Sequence, residues 1–392
     1  MAYPTAIGCG CLLGAGAMSH LHAAEWSVQP IFSIETDYDS DRNLSPQAED
    51  SEEAVLYGDL KLQRAIESTQ IFLEPKFDLR RYSESIWGPG SDRSLNAGLS
   101  WTGERMKVAL TGYIANTTTL ATELSESGII NADTRRRSTQ VNGEWDWSQS
   151  ERRLTFLQAG YISASYSGAP LISLELPGYR YPNGACGERF FLNERMTFSV
   201  SAFGDALSSD RAGNSSHEAG GQVEFQDQMS EKNSFDVSVG ESKRYLYGQA
   251  GSGTNVSASA VHAFERGNVS LSFVRSLVPY GTGFLVQRQQ ITASLVRPLA
   301  PSLDLTLSVL RIKNSATAVR LGLDRPFYDY GVLGLNWKMG ESWMLQPQLS
   351  SGWSRPVAPV GTTDPEAYDV TVREWRAQVT LVWQPLPDSK SR

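Results

Sequence analysis

Beyond residue 24 the chain alternates apolar and polar positions, and the final stretch states the pattern most plainly. From Val370 to Trp383 one face reads Trp375, Ala377, Val379, Leu381, Trp383, and the other Glu374, Arg376, Gln378, Thr380, Val382. Successive side chains of a strand point to opposite faces, so this segment has an apolar face with tryptophan at both ends and a polar one. The same reading holds upstream. Ile71, Leu73, Pro75, Phe77 and Leu79 oppose Phe72, Glu74, Lys76, Asp78 and Arg80, and Met106, Val108, Leu110, Gly112 and Ile114 oppose Lys107, Ala109, Thr111 and Tyr113. The apolar faces run for about 9 to 11 residues, the length of a tilted strand that crosses a bilayer.

Punctuation along the chain orders these strands. Short turn-rich connections occur at Ala65 to Ser68, Thr102 to Arg105, Trp147 to Arg152, Asn193 to Arg195, Gln228 to Asn233, Glu265 to Asn268, Leu299 to Ser302 and Met339 to Ser342. Longer polar segments lie between them: Asp39 to Glu52, Ser83 to Asp92, Thr117 to Asp133, Ser167 to Ala185, Ala206 to Ser216, Tyr247 to Gly253, Pro279 to Gly283, Asn314 to Pro326 and Arg355 to Asp369. Eight turns and nine loops join eighteen strands. Poor alternation in Leu154 to Tyr166 and Leu171 to Phe191 leaves sixteen as the other count. The fold predicted is all-β: a transmembrane antiparallel up-and-down β-barrel with short turns at one end and long loops at the other. A sandwich or propeller also alternates, but neither requires short and long connections to keep one phase.

Composition bears this out in two ways. In 392 residues, 40 % of them hydrophobic, no run of 18 apolar residues occurs beyond the leader, which excludes spanning α-helices. Cations are 27 Arg against 8 Lys within a net charge of -8, scattered with no basic patch, so nucleic acid is not expected as a partner. The leader 1–24 is apolar from Ala6 to Met18 and ends Leu21-His22-Ala23-Ala24, which reads as a secretory signal peptide although its start lacks Lys or Arg. The barrel is then expected over 25–384, with a periplasmic tail at 385–392. Cys9 and Cys11 lie in the leader, so Cys186 is the single cysteine expected in the mature chain.

The polar face supplies the candidate site. Asp59, Lys61, Glu74, Lys76, Asp78, Arg80, Tyr113, Glu374 and Arg376 are the expected lumen-lining residues, and a turn at Glu67-Ser68 would pair Lys61 with Glu74 and Asp59 with Lys76. Such pairs brace the wall or set ion selectivity. Trp101, Trp145, Trp337, Trp343 and Trp383 stand near the turns or the last strand's end, and Trp353 and Trp375 near the loops, as aromatic girdles do. The loop Ser167 to Ala185 carries Tyr179, Arg180 and Tyr181 among apolar residues and is the candidate constriction loop, with an upward extension of its flanking strands as the other reading. Tyr57, Phe72, Tyr113 and Phe203 are inward aromatics that would stack on sugar rings or fill the wall.

Other chemistry finds little footing. His217, read as a loop residue, and His262, read as near a strand end, are far apart and have no paired acid at a diagnostic spacing, so no catalytic residues are assigned. Asp37, Asp39 and Asp41 could hold a divalent ion, but Arg42 follows where a loop glycine would stand and no bidentate Glu is placed, so they read as a solvated loop. No metal and no cofactor is expected.

The chain resembles the outer-membrane β-barrel porin family often found with exopolysaccharide operons. The resemblance runs from Trp26 to Trp383 and is clearest at Trp26-Ser27-Val28-Gln29-Pro30 with Tyr38-Asp39-Ser40-Asp41-Arg42-Asn43-Leu44. The closing strand, with Arg376, Leu381 and Trp383, also resembles the signal read by the barrel-assembly machinery, although Gln378 stands where Gly is usual and Gln384 to Arg392 adds a tail. The resemblance implies a porin-like channel in the Gram-negative outer membrane that passes polar solutes or an exopolysaccharide strand. Implied partners are outer-membrane lipid, the assembly machinery and polysaccharide-export proteins. A non-conducting structural or adhesive barrel is the alternative.

Overall fold

In the computed structural model, the described residues are 25–41, 50–83, 90–119, 134–167, 176–210, 215–246, 248–280, 284–316, 327–355 and 371–385. Segments 1–24 and 386–392 lie outside them, so the leader and most of the tail are not part of this description. The regular elements are eighteen strands: β1 Glu25–Asp39, β2 Ser51–Ile66, β3 Thr69–Tyr82, β4 Gly90–Thr102, β5 Met106–Thr118, β6 Arg135–Ser150, β7 Arg153–Ser167, β8 Tyr179–Phe191, β9 Met196–Ser209, β10 Ser215–Ser230, β11 Asn233–Leu246, β12 Gln249–Phe264, β13 Gly267–Tyr280, β14 Phe284–Ala300, β15 Leu303–Ala316, β16 Phe327–Lys338, β17 Trp343–Arg355 and β18 Val372–Trp383.

Each strand pairs antiparallel with its neighbours in sequence, and β1 also pairs with β18 from Phe32↔Trp383 to Asp39↔Arg376, which closes the sheet. Closure gives every strand a neighbour on both sides along at least part of its length, the condition for a sheet to sit in an apolar medium. All eight short turns fall where the sequence placed them. Side chains that mimic backbone turns hold two of them: the Asn193 carboxamide oxygen accepts from the amides of Arg195 and Met196, both at 2.8 Å, and Ser230 Oγ accepts from those of Lys232 and Asn233.

The apolar positions form the outer face. Ile71, Leu73, Phe77 and Leu79 of β3, Leu110 and Ile114 of β5, and Trp375 and Val379 of β18 are all exposed, while the alternate positions are half-buried or buried. Trp101, Trp337 and Trp343 project outward at the turn end with Trp147 and Trp26, which were not among the girdle candidates. Trp145 stacks on Trp147 at 6.4 Å and Trp383 on Phe32 at 5.8 Å. At the loop end, Trp353 is exposed and Trp375 packs beside Tyr38 at 4.9 Å. Trp343 and Trp353 are the two ends of one outward row on β17. Ten residues at about 3.3 Å each, tilted by about 40°, separate their rings by roughly 25 Å along the barrel axis, the height of a lipid-facing belt.

One alternative is decided and two expectations are corrected. Tyr179, Arg180 and Tyr181 open β8, between β7 and β9, as an upward extension of the flanking strands would place them, and not as a constriction loop. Pro182 and Gly184 blur the alternation there, and the β8–β9 ladder skips Tyr181 and Pro182, yet flanking strands on both sides still impose strand geometry. Tyr247 to Gly253 is not a long loop. Two residues separate β11 from β12, because Gly248 adopts φ +81°, which a two-residue hairpin demands. His217 lies in β10, not in a loop, and stacks on Tyr245 at 5.2 Å.

Candidate functional site

The inward face begins with ordinary strand periodicity and ends as a charged wall. On β2 and β3 the register places Asp59 opposite Lys76, as the turn at Glu67-Ser68 requires. Lys76 Nζ sits 3.2 Å from Asp59 and 2.6 Å from Glu74, so it serves both carboxylates. Glu74 thus takes Lys76 in place of the expected Lys61, and also accepts from Asn96 at 3.4 Å. Lys61 is half-buried opposite Gln29 on β1. Tyr57 donates to Asp59 at 3.1 Å.

Nearer the loop end, the strands on either side of the closing seam carry a continuous ion-pair ladder. Arg376 on β18 reaches Asp37 at 2.5 Å and Glu35 at 3.2 Å on β1, and Glu53 on β2 at 3.8 Å. Arg80 on β3 lies 3.7 Å from Glu53, 3.1 Å from Asp78 and 3.4 Å from Asp92 on β4. Asp78 and Asp92 are direct cross-strand neighbours, a repulsive pairing that Arg80 and, at 3.0 Å from Asp92, Arg135 of β6 offset. Glu374 also faces inward and is buried. The ladder joins five carboxylates to three guanidinium groups, which leaves its wall acidic. Asp37, Asp39 and Asp41, expected in a solvated loop, are 6 %, 6 % and 1 % exposed, and Asp37 is a partner of Arg376.

The opposite wall centres on Arg244 of β11. Its Nε donates to Glu218 of β10 and Ser242, each at 3.2 Å, its Nη2 to Asn255 of β12 at 2.8 Å, and its Nη1 to Gln287 of β14 at 2.7 Å. No charged pattern at fixed spacing announces this site in the sequence; the register of β10, β11 and β12 brings Glu218, Arg244 and Asn255 together, and Gln287 reaches them from β14, which is not their sheet neighbour. Of the constriction candidates, Arg180 is exposed on the outer face, while Tyr179 and Tyr181 turn inward into an apolar cluster with Ala164, Leu207, Leu246, Leu277 and Leu285. Arg136 donates to the Tyr179 hydroxyl at 3.3 Å.

The inward aromatics have partners in the wall. The Phe72 ring lies over Gly98, directly across the ladder, and Phe203 lies over Gly220. A ring placed over a glycine covers backbone that has no side chain of its own. Tyr113 lies between Asn96 and Gln140 in register.

No family model and no curated protein matches the chain. Among solved structures it is similar to Pseudomonas aeruginosa OccK8 (OprE), at 9 % identity and TM-score 0.47 over 93 % of this chain and 98 % of that one. It is similar also to Pseudomonas aeruginosa OpdQ, at 10 % identity and TM-score 0.47 over 93 % and 99 %, and to the outer membrane channel DcaP of Acinetobacter baumannii, at 11 % identity and TM-score 0.44 over 92 % and 97 %. With no residue-level match, the roles assigned to side chains rest on the barrel's own geometry.

Proposed function

We propose that the protein is a narrow channel in the outer membrane of a Gram-negative bacterium that passes small polar solutes and prefers cations. The observation that carries this reading is the pairing of an apolar, tryptophan-rimmed outer face with an inner face of mixed but predominantly acidic charge. A barrel that buried its interior only for stability would have little use for ionised groups there, since each costs desolvation unless water or a partner compensates it. The ladder beside the closing seam and the Asp59–Lys76–Glu74 group both have more carboxylates than cations. They would raise the local concentration of cations and lower that of anions.

Of the two cargoes expected from the sequence, small solutes are favoured over a polysaccharide strand. Phe72 and Phe203 cover glycines of the neighbouring strand, which fits filling the wall better than stacking on sugars. The inward side chains of the loop-end halves, among them Glu35, Glu53, Ser350 and Glu374, are buried, which fits a small bore. That same burial favours the second reading, a non-conducting scaffold. Swelling of liposomes that contain the purified barrel separates them. Entry of lysine faster than glutamate, with dextran-sized sugars excluded, supports the channel; no swelling with any solute supports the scaffold, and entry of oligosaccharides would restore the polysaccharide.

A further inference from the structure

The wall is not uniform around the ring. β12 pairs with β11 all the way to Leu246↔Gln249, but with β13 only as far as Val256↔Arg275. β13 continues to Tyr280, paired with β14, and β14 follows it from Phe284. Beyond Val256 the two ladders therefore part, so that Gln249–Asn255 of β12 has β11 on one side and no ladder to β13 on the other.

The ends of β13 and β14, parted from β12 while β14 stays paired with β15 out to Val286↔Ala316, lean into the barrel. Leu277 and Leu285, which share the outward parity of Leu271 and Ile291, are 5 % and 0 % exposed and pack with Leu246 of β11, Leu207 of β9 and Tyr181 of β8. None of these three strands neighbours β13 or β14 in the sheet. The hydrogen bond from Arg244 to Gln287 is a second link between strands that are not neighbours. A cavity of about 330 Å³, lined by Arg244, Gln249, Ser252, Gln287 and Ser315 among others, lies at the base of this inward lean.

We propose that the outer parts of β13 and β14, with the end of β15 that stays paired to β14, form a lid over the mouth, latched by Arg244 on Gln287, with a second position in line with β12. In the open position the β12–β13 ladder would simply continue in its present register: Asn255 opposite Ser276, Thr254 opposite Leu277, Gly253 opposite Val278 and Gly251 opposite Tyr280. The closed position gains burial of Leu277 and Leu285 and a charge-assisted hydrogen bond; the open one gains strand hydrogen bonds along an edge that now lacks them. Two packings with comparable, exchangeable contacts make a bistable element. Gly253 belongs to the latch, because the Arg244 guanidinium lies against its backbone where any Cβ would stand. That the lid controls flow rests on the channel reading above; that it moves does not.

The test is a disulfide that only the open position permits. In a Cys186→Ser background, Thr254→Cys with Leu277→Cys sets two cysteines directly across the extended ladder, within bridging distance. Mild oxidation of the folded barrel should cross-link this pair, and adding Gln287→Ala should speed cross-linking about tenfold, the effect of losing one hydrogen bond to a charged group. Amide exchange across Gly251 to Asn255 gives an independent readout, slower in Gln287→Ala, which spends more time with the ladder extended, and slowest once the cysteine pair is bridged. Failure to cross-link in either background, with unchanged exchange, would overturn the lid. A bridged barrel that conducts more than its reduced form would place the gate there, whereas equal conductance in the two forms would overturn the gating role alone.

Discussion

At the scale of single residues, Arg376 binds the closing seam. It stands on β18 and holds Glu35 and Asp37 on β1 and Glu53 on β2, so three carboxylates depend on one guanidinium. Arg376→Gln would strand those charges in a buried wall, at a cost of about 2–4 kcal/mol after allowance for the partial exposure of the arginine. Chemical unfolding of the refolded barrel, followed by tryptophan fluorescence, should show that loss, and a change within error would mean the ladder is solvated. Gly98→Val tests the wall in a different way. The Phe72 ring occupies the space a side chain there would need, so the substitution should cost about 1–3 kcal/mol by the same assay, and Gly98→Val with Phe72→Ala should recover part of it. Residues of this kind are where the sequence was least informative. Alternation put Asp59 and Lys76 on one face and the turn at Glu67-Ser68 set their register. That Lys76 serves Glu74 as well, rather than leaving it to Lys61, depends on side-chain reach that a register does not specify.

At the scale of strands, facing is the quantity that matters, and β17 offers a clean contrast. Leu349 projects outward between Pro347 and Ser351, while Gln348 and Ser350 face in. Leu349→Arg should destabilise the barrel by about 2–4 kcal/mol, the cost of an arginine near the middle of a lipid-facing wall, whereas Gln348→Arg should cost little because water or a carboxylate can meet it. Equal costs in a lipid-based folding titration would contradict the assignment of faces. Strand boundaries were legible because eight turns are written in Asn, Ser, Gly and charged residues between alternating segments. The exceptions have local causes. β8 carries Pro182, Gly184 and Gly187, which interrupt the periodicity while its neighbours hold it in the sheet. Gly248 compresses what reads as a long polar loop into a tight hairpin, after which Gln249 to Gly253 continues as strand with a composition poor in apolar residues.

At the scale of the whole molecule, an eighteen-stranded ring is apolar on its outer wall and predominantly acidic on its inner one. The global fold follows from a simple rule, repeated side-chain alternation with one phase of short and long connections. The shape of the mouth does not, because it depends on where two adjacent ladders part company, and no residue between Val256 and Arg275 announces it. Charge is the property on which the proposed function turns, since five carboxylates against three guanidinium groups in the ladder beside the seam would bias the lumen toward cations. Charge reversal at Lys76 should deepen that bias, and Glu53→Lys should weaken it. The most direct measurement is the reversal potential of the purified barrel in a planar bilayer under a tenfold gradient of potassium chloride. Discrete conductance steps that reverse at the potential of a cation-preferring pore are the result this account predicts; an electrically silent membrane, or a reversal potential on the anion side, would contradict it.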